Sequence, residues 1–138
     1  MNTPSAPPLS ASVLIVEDEE SILLSLEFLL GKEGYAVTTA RDGAAALHAL
    51  QTRPPDLVLL DVMLPLIDGF ELCRLIRENP ALRGTRIMLV TARGREAEIT
   101  RGMALGADAY LTKPFSTRDL MHKVRGLLSG NNETQPSS

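Results

Sequence analysis

The sequence has little of what disulfide-bonded, zinc-binding or membrane proteins need. Its 138 residues include one cysteine, Cys73, which excludes an internal disulfide, and no Cys/His grouping suggests a zinc site. No apolar run approaches the roughly 20 residues of a membrane-spanning helix. Residues 1–10 have neither the charged start nor the apolar stretch of a signal peptide. We therefore expect a cytoplasmic protein without a membrane segment.

The sequence also lacks an excess of positive charge. It carries 14 Lys and Arg against 17 Asp and Glu, a net charge of −3. Such a domain is a poor candidate for binding DNA or RNA directly, because that binding depends on neutralising phosphates. Residues 1–10 and 131–138 are polar, so we expect them to be disordered, the second as a tail or the start of a linker. Residues 11–130 are expected to form one domain.

Five short β-branched or leucine-rich runs alternate with amphipathic helical patterns along this domain. The runs cover residues 12–16, 35–39, 56–60, 86–90 and 109–111. This alternation predicts a parallel sheet with helices on both faces, an α/β fold. Asp42, Asp68 and Ser116 are predicted N-caps. Gly34 and Gly106 are predicted to follow helix C-termini.

Polar side chains follow four of these runs. They are Glu17 and Asp18 after the first run, Asp61 after the third, Thr91 after the fourth and Lys113 after the fifth. The carboxyl ends of parallel strands share one edge of a sheet, where ligands bind. Three carboxylates there would repel by about 3 kcal/mol per pair at ~5 Å and an effective dielectric of ~20. Either some of these carboxylates are protonated or a cation lies among them, and a hard cation such as Mg²⁺ suits such ligands. An aspartate can itself be a nucleophile.

Four motifs, in this order, resemble those of one protein family: "VLIVEDEE", "DLVLLDVMLPLIDGF", "VTA" and "LTKPF". The family is the receiver (phosphoacceptor) domain of two-component response regulators, which is similar to the chemotaxis regulators. The resemblance covers about residues 11–129. It implies a flavodoxin-like (βα)5 three-layer sandwich. The order 2-1-3-4-5 of its five-stranded parallel sheet is the one known for chemotaxis regulators and is carried over from them.

The resemblance assigns a metal and a reacting residue. It implies that Asp61 is the phosphoacceptor. It implies that Glu17, Asp18, Asp61 and the backbone carbonyl of Met63 hold Mg²⁺, with Mn²⁺ as a substitute. The domain would then catalyse its own phosphorylation and dephosphorylation without turning over a metabolite.

Further roles follow from the same resemblance. Lys113 would pair with the phosphoryl oxygens, and Thr91 would reach the phosphoryl group. The rotamer of Tyr110 would follow Thr91. The Lys113–Pro114 peptide bond is expected to be cis, since cis bonds occur mainly before proline. Leu66 stands where the family often carries Gly or Asn, so a strained loop is expected after Asp61.

The partners implied are a sensor histidine kinase or phosphotransfer protein and a downstream output protein or fused output domain. Phosphorylation would switch a surface made of helix 4 (about 95–105), strand 5 and helix 5 (about 117–129). A homodimer through that face is also implied, although Ala109 stands where dimerising relatives usually carry a second acidic residue. The charged residues available for inter-subunit ion pairs are Glu98, Arg101, Asp108, Arg118 and Lys123.

Two other functions compete with a phosphoryl-accepting switch. One is a receiver-like interaction module that does not use phosphate. The other is a different α/β protein, such as a flavodoxin-like or nucleotide-binding protein or an aspartyl phosphatase. No glycine-rich phosphate-binding motif follows the first run. Met63 occupies the position where an aspartyl phosphatase usually has a second carboxylate. The complete reactive set therefore favours the switch.

Overall fold

The apolar runs form a central sheet in the computed structural model, which describes residues 11–65 and 67–129. The strands are Ser12–Val16 (β1), Ala36–Ala40 (β2), Leu57–Asp61 (β3), Arg86–Ala92 (β4) and Ala109–Lys113 (β5). The helices are Glu20–Lys32 (α1), Gly43–Thr52 (α2), Gly69–Glu78 (α3), Glu96–Ala104 (α4) and Thr117–Leu128 (α5), with a short 3-10 helix at Pro80–Leu82.

All pairings in the sheet are parallel, and the strand order is β2-β1-β3-β4-β5. The flavodoxin-like (βα)5 fold and the order 2-1-3-4-5 are thereby confirmed. In this order β1 and β3 are neighbours, so the residues at their carboxyl ends lie side by side. The chain adds β2 on one side of β1 and the later strands on the other side. Ligands of open α/β sheets bind at this topological switch point.

Both faces of the sheet are buried, which explains why the strands read as continuous apolar runs. Alternate residues of β3 enter different cores. Leu57 and Leu59 pack with α1 and α5, while Val58 and Leu60 pack with α2 and α3. Every residue of β3 is buried, including Asp61. The sheet is thus a rigid base for the side chains at its edge.

Several strand boundaries differ from the sequence prediction, most of them by one residue, and three of them have identifiable reasons. The β2 strand begins at Ala36, because the Tyr35 amide donates to the Leu30 carbonyl and closes the end of α1. Both β4 and β5 run two residues further than predicted, to Ala92 and Lys113, which are register partners. Backbone pairing therefore continues through the polar residues at the strand ends.

The predicted caps are confirmed. The Asp42 and Asp68 carboxylates each accept a 2.8 Å hydrogen bond from an amide three residues on, and the Ser116 hydroxyl accepts one of 3.0 Å. Gly34 and Gly106 have φ of 100° and 110°, the left-handed conformation that glycine adopts without a Cβ clash.

Some predictions fall outside the described residues. These are the predicted disorder of 1–10 and 131–138 and the strain at Leu66, which all stay predictions. Within residues 11–65 and 67–129, none of the helices has the length and apolar character to cross a membrane.

Candidate functional site

Three carboxylates converge at the carboxyl edge of the sheet. Glu17 and Asp18 follow β1, and Asp61 is the last residue of β3. One oxygen from each of the three side chains lies within 4.8 Å of the other two. The adjacency of β1 and β3 causes this convergence, as the sequence argument predicted.

Asp61 is held in one orientation although it is only 5% exposed. Its Oδ1 accepts a 2.9 Å hydrogen bond from the Met63 amide, and its Oδ2 lies 3.3 Å from Lys113 Nζ. Both contacts restrict the orientation of the carboxylate group. Asp61 is therefore a buried carboxylate in a fixed orientation at the edge of the sheet.

Glu17 is buried more deeply, at 1% exposure. Its Oε2 accepts a 3.1 Å hydrogen bond from the Glu19 amide. Its Oε1 lies 3.1 Å from Lys113 Nζ, close enough for an ion pair. Yet Oε1 has no donor with hydrogen-bond geometry in the described part of the chain. Burial, and then the nearby Asp61 carboxylate, raise the pKa of Glu17, while Lys113 opposes that shift.

Lys113 is therefore the cation that both buried carboxylates share. Burial by itself would lower the pKa of its ammonium group, but the Asp61 and Glu17 carboxylates outweigh burial and the pKa is raised. Lys113 is protonated at neutral pH, as an ordinary lysine is, and its two neighbours reinforce that state. The Lys113–Pro114 peptide bond is cis.

The cluster has the donor chemistry of a hard-cation site. All three side chains present carboxylate oxygens, and among residues 11–65 and 67–129 none donates a hydrogen bond of good geometry to the buried Glu17 Oε1. One lysine does not neutralise three carboxylates, so a divalent cation fits the charge as well as the ligand type. The backbone carbonyl of Met63, the fourth ligand that the resemblance implied, lies in the loop directly after Asp61.

Thr91 bonds to α4 in this structure, and its expected contact with a phosphoryl group stays a prediction. It is 2% exposed in β4, and its hydroxyl donates a 2.7 Å hydrogen bond to Glu98 Oε1 on α4. Tyr110 on β5 is 39% exposed. The ammonium group of Lys123 lies 4.5 Å from its ring centroid and donates to its backbone carbonyl.

Comparison with known proteins agrees with this geometry. The model of the response regulator receiver domain family matches residues 13–125. The chain belongs to this family.

Two relatives of the receiver domain are transcriptional regulators. The alkaline phosphatase synthesis transcriptional regulatory protein PhoP of Bacillus subtilis is 42% identical over 94% of this chain and 53% of its own length. The phosphate regulon transcriptional regulatory protein PhoB of Rhizobium meliloti is 47% identical over 84% of this chain and 51% of its own. The chain therefore spans about half the length of these curated relatives.

A solved structure resembles the receiver domain closely. It is the receiver domain of the sensor histidine kinase PA1611 from Pseudomonas aeruginosa PAO1, crystallised with a magnesium ion coordinated in its active site cleft. The TM-score is 0.80 and the identity 28%, over 88% of this chain and 99% of that one.

Sequence reasoning missed a glycine that supports the receiver site. A Cβ on Gly69 would lie 2.5 Å from the Asp61 carbonyl oxygen and 2.6 Å from Val62 Cα. A side chain at position 69 would therefore displace the backbone at Asp61 and Val62. The signal was available, because Gly69 directly follows the predicted N-cap Asp68.

Four of the five charged residues expected at a dimer face, all but Arg118, have partners within the described part of the chain. Asp108 pairs with Arg77 at 2.7 Å, and the Arg101 guanidinium lies 4.1 Å from the Phe70 ring centroid. Glu98 and Lys123 make the contacts described above. Inter-subunit pairs would have to replace these contacts, and the homodimer stays a prediction.

Proposed function

We propose that this receiver domain accepts a phosphoryl group on Asp61 and thereby changes the surface formed by α4, β5 and α5. The observation that supports this most directly is the position of Lys113 Nζ, 3.3 Å from Asp61 Oδ2 and 3.1 Å from Glu17 Oε1. A purely structural lysine would need one carboxylate partner. Here the Lys113 ammonium group lies within ion-pair distance of two buried carboxylates, and the Asp18 carboxylate is close to both of them.

We propose Mg²⁺ as the cation of this site, with Mn²⁺ as a substitute. Asp18, Asp61 and the Met63 carbonyl would hold it, with Glu17 binding directly or through water. The magnesium ion in the active site cleft of the related PA1611 receiver supports this choice. Bound there, the metal supplies positive charge that stabilises oxygens on a transferring phosphoryl group.

The protein's own residues account for the transfer. An Asp61 oxygen attacks the phosphorus in line with the leaving group, so an O–P bond forms as the donor's bond to phosphorus breaks. With a phosphohistidine donor that bond is N–P, and the imidazole takes up one proton as it leaves. Lys113 stabilises the negative charge on the phosphoryl oxygens. Hydrolysis of the acyl phosphate by water returns the Asp61 carboxylate.

We further propose a sensor histidine kinase or phosphotransfer protein as the donor, with small phosphodonors as an alternative. The names of PhoP and PhoB support an output domain in transcription for proteins of this kind. A downstream protein or fused domain would then read the altered surface. The cytoplasmic location stays a prediction.

Phosphorylation by acetyl phosphate with Mg²⁺ tests the function. Intact-protein mass spectrometry should show a gain of one phosphoryl group. Asp61→Asn should abolish the gain, and Asp68→Asn should retain it, because Asp68 caps α3 and has no part in the cluster. If Asp61→Asn gained the same mass as the wild type, the phosphoryl group would be attached to a residue other than Asp61. A wild type that never reacts would instead favour the phosphate-independent interaction module.

A further inference from the structure

The hydroxyl of Thr91 is already occupied in this structure. It donates to Glu98 Oε1 at 2.7 Å, and Thr91 itself is 2% exposed, so water does not compete freely for it. Glu98 Oε2 lies 3.7 Å from Arg95 Nη1, a second contact of the same carboxylate. The bond joins the end of β4 to the first turn of α4.

That first turn is weakly anchored otherwise. Gly102 is the buried residue of α4, and the N-cap residue Arg95 makes no side-chain capping hydrogen bond. Glu98 therefore provides a specific tie between the start of α4 and the sheet. A change in the hydrogen bonding of the Thr91 hydroxyl would therefore alter the contact between β4 and α4.

A threonine hydroxyl has one proton to donate. If Asp61 is phosphorylated as proposed, Thr91 would have the role that the family resemblance implies and would reach the phosphoryl group. It cannot donate to a phosphoryl oxygen and to Glu98 at the same time. The two acceptors, one on Asp61 after phosphorylation and one on α4, therefore compete for a single hydrogen bond.

We propose that Glu98 is a positioning residue that retains Thr91 in the unphosphorylated arrangement and so opposes activation. This inference rests on the proposed function. Phosphorylation breaks the Thr91–Glu98 bond, because the phosphoryl oxygens are the stronger and more charged acceptors. The release of Glu98 then frees the first turn of α4, and the switch surface changes. The affinity for a phosphoryl mimic is reduced by the fraction of molecules in which Thr91 remains bound to Glu98.

Beryllofluoride binding in saturating Mg²⁺ tests this proposal. Glu98→Ala should bind about tenfold more tightly than the wild type, a factor that corresponds to about 1.4 kcal/mol. Glu98→Gln, which keeps a neutral acceptor, should show a smaller gain. The matched control is Glu96→Ala, which removes the same charge from an exposed position on the same turn of α4 and should leave affinity within about twofold of the wild type.

The decisive comparison repeats Glu98→Ala in a Thr91→Val background. If Glu98 acts through the Thr91 hydroxyl, its removal has no further effect once that hydroxyl is gone. A tenfold gain that persists in Thr91→Val would overturn the proposal, since Glu98 would then act by general charge repulsion. An affinity of Glu98→Ala equal to that of Glu96→Ala would overturn it as well.

The failure of this inference is distinguishable from failure of the proposed function. If the wild type binds beryllofluoride but Glu98→Ala binds no better, only the role of Glu98 is wrong. If neither wild type nor variant binds in the presence of Mg²⁺, the proposed function itself is wrong, and the inference falls with it.

Discussion

The Asp61→Asn variant should be more stable than the wild type in metal-free buffer, although it loses an ion pair. Asp61 lies among groups of both signs. Its carboxylate is attracted by Lys113 and repelled by Glu17 and Asp18. Asparagine removes the charge but keeps an oxygen that can accept from the Met63 amide. The sign of the change in stability therefore depends on which charges act more strongly on Asp61.

The distances decide this balance. The chosen oxygens lie within 4.8 Å of one another, and at that upper limit and an effective dielectric of ~20 each repulsive pair costs about 3.5 kcal/mol, or about 7 kcal/mol for two. The 3.3 Å pair with Lys113 contributes about 5 kcal/mol of attraction on the same scale. Asp18 is exposed, so solvent screens part of its repulsion. We expect a net gain of about 1–2 kcal/mol for Asp61→Asn.

Urea unfolding with and without Mg²⁺ measures this gain. At about pH 8 in a chelator, the free energy of unfolding should be higher for Asp61→Asn than for the wild type. With Mg²⁺ at about 100 times its Kd, the wild type should gain about 2.7 kcal/mol and the variant much less, so the order reverses. The control Asp68→Asn should change stability by less than about 0.5 kcal/mol, because Asn caps a helix as well as Asp does.

A clear loss of stability in the chelator would refute this reasoning. If Asp61→Asn were more than about 1 kcal/mol less stable than the wild type there, the attraction of Lys113 would exceed the repulsion within the cluster. The need for a divalent cation would then lose its electrostatic basis.

Two further predictions concern residues near the site. Burial and Asp61 raise the pKa of Glu17 above its ordinary 4.5, so the folded state binds that proton more tightly than the unfolded state. The free energy of unfolding should consequently fall as the pH rises from 4.5, and urea unfolding of Glu17→Gln should show a flatter profile in that range. Gly69→Ala should lose about 1–3 kcal/mol in thermal unfolding and slow phosphorylation, since its Cβ would meet the Asp61 backbone. Gly126→Ala, a control in α5 with open space at the Cβ, should gain up to about 1 kcal/mol, and equal losses in both variants would contradict the steric argument.

Much of the fold was predictable because its signals are local. Apolar runs bury strands on both faces, and helical periodicity places one apolar stripe on each helix. Asp42, Asp68 and Ser116 cap helices with their own side chains, a contact that spans three residues. Boundaries were harder, because Tyr35 pairs with the end of α1 rather than with β1, and this choice depends on how the two elements meet.

The convergence of Glu17, Asp18, Asp61 and Lys113 was also predictable, but for a topological reason. The carboxyl ends of parallel strands share an edge of the sheet, and the strand order carried over from the family places β1 beside β3, so the three carboxylates were expected to be neighbours. The partner of Thr91 was not predictable in this way. Glu98 looked like a surface charge on a helix, and only the packing of α4 against β4 brings its carboxylate to the hydroxyl.

The order of residues alone thus determined the alternation of strands and helices, and it determined which polar groups reach the common edge. Both follow from periodicity and chain direction, which any short stretch of sequence expresses. Tertiary structure alone decided that one lysine bridges two carboxylates, that Gly69 leaves room for the backbone of Asp61, and that Thr91 bonds to α4. These contacts depend on rotamers and on gaps of a few tenths of an ångström between separate elements, and local sequence patterns do not encode such distances.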